Sequence, residues 1–252
     1  MGGLNELEYT IDISQSPYGS DSVMFEKDYI TLKDGLSVII GCNGSGKSTL
    51  LRMIKEHCII HNIPMLYYNN INDGGYQSRD NRLTFSDMKY TNGSLQSSEG
   101  ESIIIALNSI VDKVIKIINN LKSGDEPYKG VRGNIEYISN IFKYETDDTK
   151  WETDKLFLLF DSVDSGLSLD TIYDVKKYMI DPVINRCKNS NINLYLIITS
   201  NKFELTHNTK CILANKLEYI NINSYQQFKN VIVESRIMKD MREGVDKREQ
   251  RY

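Results

Sequence analysis

No apolar run of membrane length interrupts the 252-residue sequence, and its first residues carry no basic segment leading into an apolar one. A membrane span and an export leader are therefore not expected. Glu6 also stands where a myristoylation motif needs Ser or Thr. Excess positive charge is missing too. A formal net charge of -4 offers no general attraction to nucleic acid or anionic lipid, although a local basic patch is compatible with it. Cysteine is sparse, and Cys42, Cys58, Cys187 and Cys211 show no paired metal-ligand spacing, so reduced thiols in a cytoplasmic protein are the expectation. There is no repeat, low-complexity tract or long heptad run, which excludes repeat architectures and coiled-coil arms. What remains is an ordinary globular composition, 40% apolar and 25% charged, long enough for one large domain or two small ones.

One stretch organises the rest. The apolar strand Leu36-Ser37-Val38-Ile39-Ile40 runs into Gly41-Cys42-Asn43-Gly44-Ser45-Gly46-Lys47-Ser48-Thr49 and then an apolar-rich helix over 50–60. This is a complete phosphate-binding P-loop. Its glycines let backbone N–H groups face the phosphates, and Lys47 reaches the β- and γ-phosphates. Ser48 ligates magnesium, and the helix points its positive end at the anion.

Around this centre, Leu7, Tyr9, Ile11 and Ile13 alternate with polar residues, and Val23, Phe25 and Tyr29-Ile30 precede the P-loop strand. These predict early antiparallel strands. A short strand over 64–68 opens into a loop over 69–82 rich in Asn, Gly and Asp. Ile104, Leu107, Val111, Val114, Ile118 and Leu121 recur at helical spacing. The region 122–155 reads as an insertion with an acidic, solvated tip and one short helix over 135–142. A buried strand over 156–160 ends in Asp161, and a helix starts near Leu169. Asp181 before Pro182 predicts a cap and first-turn proline where that helix breaks or restarts. Strands over 194–199, 210–213 and 217–222 and a helix over 225–233 follow. The tail over 235–252 mixes both charge signs and reads as a solvated helix or frayed end.

The fold class expected is α/β, with a mainly parallel central sheet, an antiparallel N-terminal β layer and a helical subdomain. A single domain spans 1–252, its helical subdomain and insertion covering about 86–154. Asp161, ending a fully apolar strand beside the P-loop, is placed to support the magnesium held by Ser48. Ser98-Glu99-Gly100-Glu101 at a helix start is a Ser-x-x-Glu capping box, and the same serine and close-approach glycine also suit an anion. Both readings are compatible.

Walker A at 41–49, a short signature at 97–101, and Asp161-Ser162-Val163-Asp164-Ser165-Gly166-Leu167-Ser168 together resemble the ATP-binding-cassette ATPases. Within them the chain looks most similar to the SMC, RecF and RecN branch, and there to small bacteriophage ATPases without a coiled coil. The resemblance spans roughly 36–222. It implies ATP and Mg2+ as cofactors, with Asn43, Gly44, Ser45, Gly46, Lys47, Ser48 and Thr49 around the nucleotide and Asp161 with Ser48 at the metal. It also implies that Ser98 and Gly100 reach the γ-phosphate held by a second subunit, in a homodimer whose interface is crossed by 165–168. DNA, or a protein that handles DNA, is the partner implied, in repair, recombination or other phage DNA metabolism; no membrane is.

The sequence departs from this family at three places. Ser162 replaces the general-base glutamate, and a hydroxyl cannot act as a base near neutral pH. Asp164 or Glu101 are the candidate substitutes. Ser200-Asn201 replaces the switch histidine, and no glutamine follows Tyr68 directly, leaving Asn69, Asn70 and Gln77 as candidates for that role. Weak or absent hydrolysis is expected, and a non-hydrolysing ATP sensor acting on a protein partner is the alternative. A small-molecule kinase would want an arginine lid, which Arg79 and Arg82 could supply, but the Ser98 signature and the loop after Asp161 argue against it. Tyr18, Phe25 or Tyr29 could stack on adenine, though each suits core packing as well. His57 and His61, four apart near a helix end, lack a third ligand for zinc.

Overall fold

Strand β1 (Glu8–Asp12) pairs antiparallel with β2 (Tyr29–Lys33), Ile11 facing Ile30, as the alternating N-terminal pattern predicts. The chain then enters a six-stranded sheet through β3 (Gly35–Ile40) and leaves it by the P-loop into helix α1 (Lys47–Ile60). The computed structural model describes residues 7–14, 25–70 and 153–242, together with helical positions between 107 and 121. The Ser98–Glu101 signature, the loop beyond Asn70, most of the insertion and the last ten residues lie outside the described residues.

The sheet is completed by β4 (Met65–Asn69), β5 (Lys155–Asp161), β6 (Asn193–Thr199), β7 (Lys210–Leu213) and β8 (Glu218–Ile220), in the order β4-β5-β6-β3-β7-β8. All pairings are parallel except β7 with β8. The architecture is the expected α/β one, a mainly parallel central sheet with an antiparallel β pair beside it. Strands β5 and β6 carry uninterrupted apolar runs because both faces are covered. Leu156, Leu158, Phe160, Leu194, Leu196 and Ile198 face one layer, which includes Leu107, Val114 and Ile118 at their predicted helical spacing. Phe157, Leu159, Tyr195 and Ile197 face the other, which holds α1 and the β1–β2 pair. Thus the period of two sorts alternate residues of one strand into two cores.

On the first face lie α2 (Leu169–Val175), a π-helical turn (Lys176–Ile180) and α3 (Asp181–Asn189). A break or restart is expected at Pro182: an α-helix does restart at Asp181 with Pro182 in its first turn, but the backbone does not break and Asp181 is not a cap. Ile180 and Asp181 keep right-handed helical backbone and Asp181 makes no side-chain cap. The Asp181 N–H bonds back to the Lys176 carbonyl, five residues earlier. Pro182 has no N–H and its ring crowds the preceding turn, so the helix widens by one residue there and continues. The tail is helical as far as Arg242, one of the two forms expected of it, but one face of it is partly buried. Beyond the short α4 (Phe203–Thr206), helix α5 runs unbroken over Tyr225–Arg242, and Ser235 within it is buried at 1% exposure. Ser235 therefore faces the protein, whereas Arg236, Met241 and Arg242 are exposed.

Candidate functional site

The P-loop wraps the start of α1. Gly44 and Gly46 hold left-handed φ angles of 78° and 98° that a side chain would disfavour, and Gly46 begins the helix with no side-chain cap. The first helical N–H groups are thereby left facing the loop interior, where an anion is their natural partner. Lys47 folds back over the loop and donates to the Gly41 and Cys42 carbonyls at 2.8 and 3.0 Å. Burial pushes its ammonium below its ordinary value, while the Cys42 thiol, Asp161 and Asp164 nearby pull the other way. A bound polyanion would favour the charged form further.

Asp161 does not stand on the strand next to the P-loop strand, because β6 lies between β5 and β3. Its carboxylate nevertheless crosses that strand: the Ser48 hydroxyl donates to Asp161 Oδ1 at 3.0 Å. The intervening strand supplies Thr199, whose hydroxyl donates to the same oxygen at 2.6 Å and accepts the Ser162 N–H at 2.8 Å. Asn69, ending β4, donates to Asp161 Oδ2 at 3.3 Å. Three strand ends and the start of α1 therefore converge on one buried carboxylate. Thr199 was not singled out by the sequence, since its role depends on which strand is inserted between β5 and β3. Asn69 was a candidate; Asn70 points elsewhere, its amide donating to the Ser165 carbonyl at 2.6 Å and accepting from Tyr68 OH at 2.8 Å.

The loop after Asp161 is tied down on its other side. Asp164 is buried, and its Oδ2 accepts both the Ser200 hydroxyl at 2.7 Å and the Asn201 N–H at 3.0 Å. Ser200 in turn donates its own N–H to the Ile39 carbonyl at 3.1 Å, fixing the loop to β3. Asn201 reaches the P-loop rim, 3.4 Å from Asn43 Oδ1. Ser162 has a left-handed φ of 55°, and its hydroxyl lies 3.5 Å from Asp161 Oδ1. Ser165 and Gly166 are exposed. Ser98, Gly100 and Glu101 lie outside the described residues, as do Tyr18 and Gln77.

Beside the loop is a cavity of about 280 Å³ bounded by Phe25, Ser45, Asn215 and the end of α5. Of the aromatic candidates, Phe25 lines it, whereas Tyr29 is 54% exposed and does not. The His57 and His61 rings lie with centroids 4.2 Å apart, tilted by 40°, and His57 Nε2 is 3.0 Å from Tyr9 OH. Among the described residues no cluster of three or more His, Cys, Asp or Glu could hold a metal. Nor is any described helix long and apolar enough to cross a membrane.

No known family model matches the chain, and no curated protein is similar in sequence. Among solved structures that match is the ADP conformation of MJ1267, an ATP-binding cassette of an ABC transporter. It is 15% identical, with a TM-score of 0.42, over 92% of this chain and 98% of that one.

Proposed function

We propose that this chain is an ATP-binding-cassette-type domain of the SMC, RecF and RecN kind that binds ATP, pairs head to head around it, and hydrolyses it slowly or not at all. The observation that carries the reading is the 3.0 Å contact between Ser48 at the mouth of α1 and Asp161 at the end of β5. It joins a phosphate-cradling loop to an acid across an intervening strand. The residues from Asn43 to Thr49 would surround the β- and γ-phosphates, with Lys47 exchanging the loop carbonyls for phosphate oxygens. A hydroxyl and a carboxylate at this separation are the hard oxygen donors that magnesium takes, so Ser48 and Asp161 fit that ion. When bound, the ion would offset phosphate charge.

Weak hydrolysis follows from the same groups. Ser162 stands where a base is needed, and Asp164 is engaged by Ser200 and Asn201. These features also favour the second reading, an ATP sensor acting on a protein partner. Ser98 and Gly100 would meet the γ-phosphate of the second copy, and the DNA-related role rests on the sequence resemblance alone. Sedimentation with ATP and with ADP tests the reading. ATP should promote a dimer in the parent, and neither Lys47→Ala nor Ser98→Arg should form one. Dimerisation by Ser98→Arg as complete as the parent's would leave Ser98 a helix cap only. Phosphate release with and without DNA separates a DNA-acting ATPase from the sensor.

A further inference from the structure

The end of α5 sits on the phosphate loop. Ser235, Met238, Lys239 and Arg242, spaced i, i+3, i+4 and i+7, share one helix face, and all four line the cavity beside the loop. Two contacts fix the approach. The Ser235 hydroxyl accepts the Cys42 N–H at 3.1 Å and lies 3.1 Å from where a side chain on Gly41 would begin. One turn later, Lys239 fills the corresponding space over Gly44, with Nζ, Cε and Cδ at 2.7, 3.0 and 3.6 Å from that point. Its ammonium donates to the Asn43 carbonyl at 3.4 Å.

We infer that Lys239 is a second cation of the nucleotide site, supplied by the C-terminal helix and contacting the phosphates of a bound nucleoside triphosphate. The inference rests on the nucleotide reading above and extends it to a part of the chain outside the P-loop and strand-end residues. Two successive stretches of loop carbonyl now hold two ammoniums: Lys47 on Gly41 and Cys42, Lys239 on Asn43. Phosphate oxygens are far stronger acceptors for an ammonium than amide carbonyls. The cavity next to Lys239 also presents buried polar atoms toward a ligand. Ser45 Oγ and Asn215 Oδ1, both on residues that line it and at least nine-tenths buried, have no hydrogen-bond partner among the described residues. Buried polar atoms in native folds are rarely left so. With Phe25 as an aromatic wall and Lys239 and Arg242 among its described lining, the space suits the sugar and base of a nucleotide whose phosphates enter the loop.

Amine acylation of the unmodified protein, read by peptide mass mapping, tests this without any variant. ATP should protect both Lys47 and Lys239 from an amine-reactive ester. Protection of Lys47 but not Lys239 overturns the inference and leaves the P-loop reading standing; protection of neither overturns both. In parallel, Lys239→Met keeps an unbranched stem over Gly44 and removes the charge. It should weaken ATP binding roughly ten- to hundredfold, the value of a charged hydrogen bond, while adenosine binding stays at the parent's level. Lys239→Arg should recover ATP affinity to within about threefold, because a phosphate accepts either cation. An equal loss for ATP and adenosine in Lys239→Met would mean that the residue only holds α5 in place, and would also overturn the assignment.

Discussion

The Ser200 hydroxyl and the Asp164 carboxylate lie 2.7 Å apart, both nearly closed to solvent, and so join the loop after β5 to the loop after β6. The Asn201 N–H ends on the same oxygen at 3.0 Å. A carboxylate held by two donors is an anchor, and it is poorly placed to take a proton from water. Asp164→Ala should lower unfolding stability by about 1–3 kcal/mol through the donors it strands, measured by urea denaturation. Asp164→Asn keeps an acceptor and should recover most of that loss, with phosphate release within about twofold of the parent. A folded Asp164→Asn protein that loses most of the parent's turnover would restore Asp164 as the base.

Asp161 gathers Ser48, Thr199 and Asn69. Asp161→Asn removes charge with little change of shape, so the fold should persist while the magnesium dependence of ATP binding falls by about 10–100-fold, the usual cost of losing a group that orients or supports a metal. Titration of ATP with and without a chelator measures it. An unaltered magnesium dependence would remove Asp161 from the proposed metal site.

Much of this was legible in the sequence where it is local. The strand–loop–helix at 36–60 was readable because a P-loop needs fixed residues at fixed spacing, and β5 and β6 because doubly covered parallel strands are unbroken apolar runs. Strand order was not readable. Leu156 to Phe160 would look the same beside β3 or, as found, with β6 between, so Thr199 stayed invisible. Lys239 was hidden differently. Mixed charges after Ser235 read as solvated, yet the 235, 238, 239, 242 spacing marks one face and was the available signal. Pro182 was visible as a perturbation, but whether a helix breaks or widens depends on the packing of Met179, Ile180 and Val183 into the sheet.

His57 should make stability depend on pH. Burial, then the neighbouring His61, holds its imidazole below the ordinary 6.5, with Asp12 opposing. Tyr9 OH sits 3.0 Å from Nε2, a contact that suits the neutral ring as acceptor. The unfolded chain therefore binds the proton more readily than the folded one. Stability is fully present above about 6.5 and is lost as pH falls toward the lowered folded value. Melting temperature followed from pH 8 to 5 should fall more steeply below about 6.5 in the parent than in His57→Gln. Parallel curves would sink this assignment.

Ser162 follows Asp161 directly, where the proposed reading needs the attacking water to be deprotonated. Its hydroxyl can orient water but cannot take its proton, and general-base assistance is typically worth about 10²–10⁴-fold in rate. The parent should therefore release phosphate close to a Lys47→Ala blank and keep its ATP-bound dimer for long periods. Ser162 already bears a left-handed φ of 55°, so Ser162→Glu introduces a base without a new class of backbone strain. It should raise phosphate release if the rest of the proposed site is competent. Ser162→Gly separates backbone from chemistry. It should stabilise the fold by up to about 1 kcal/mol by relieving the left-handed conformation, with no gain in turnover. Rapid hydrolysis by the parent would sink the weak-ATPase reading and turn attention to Glu101, whose replacement by Gln should then abolish it.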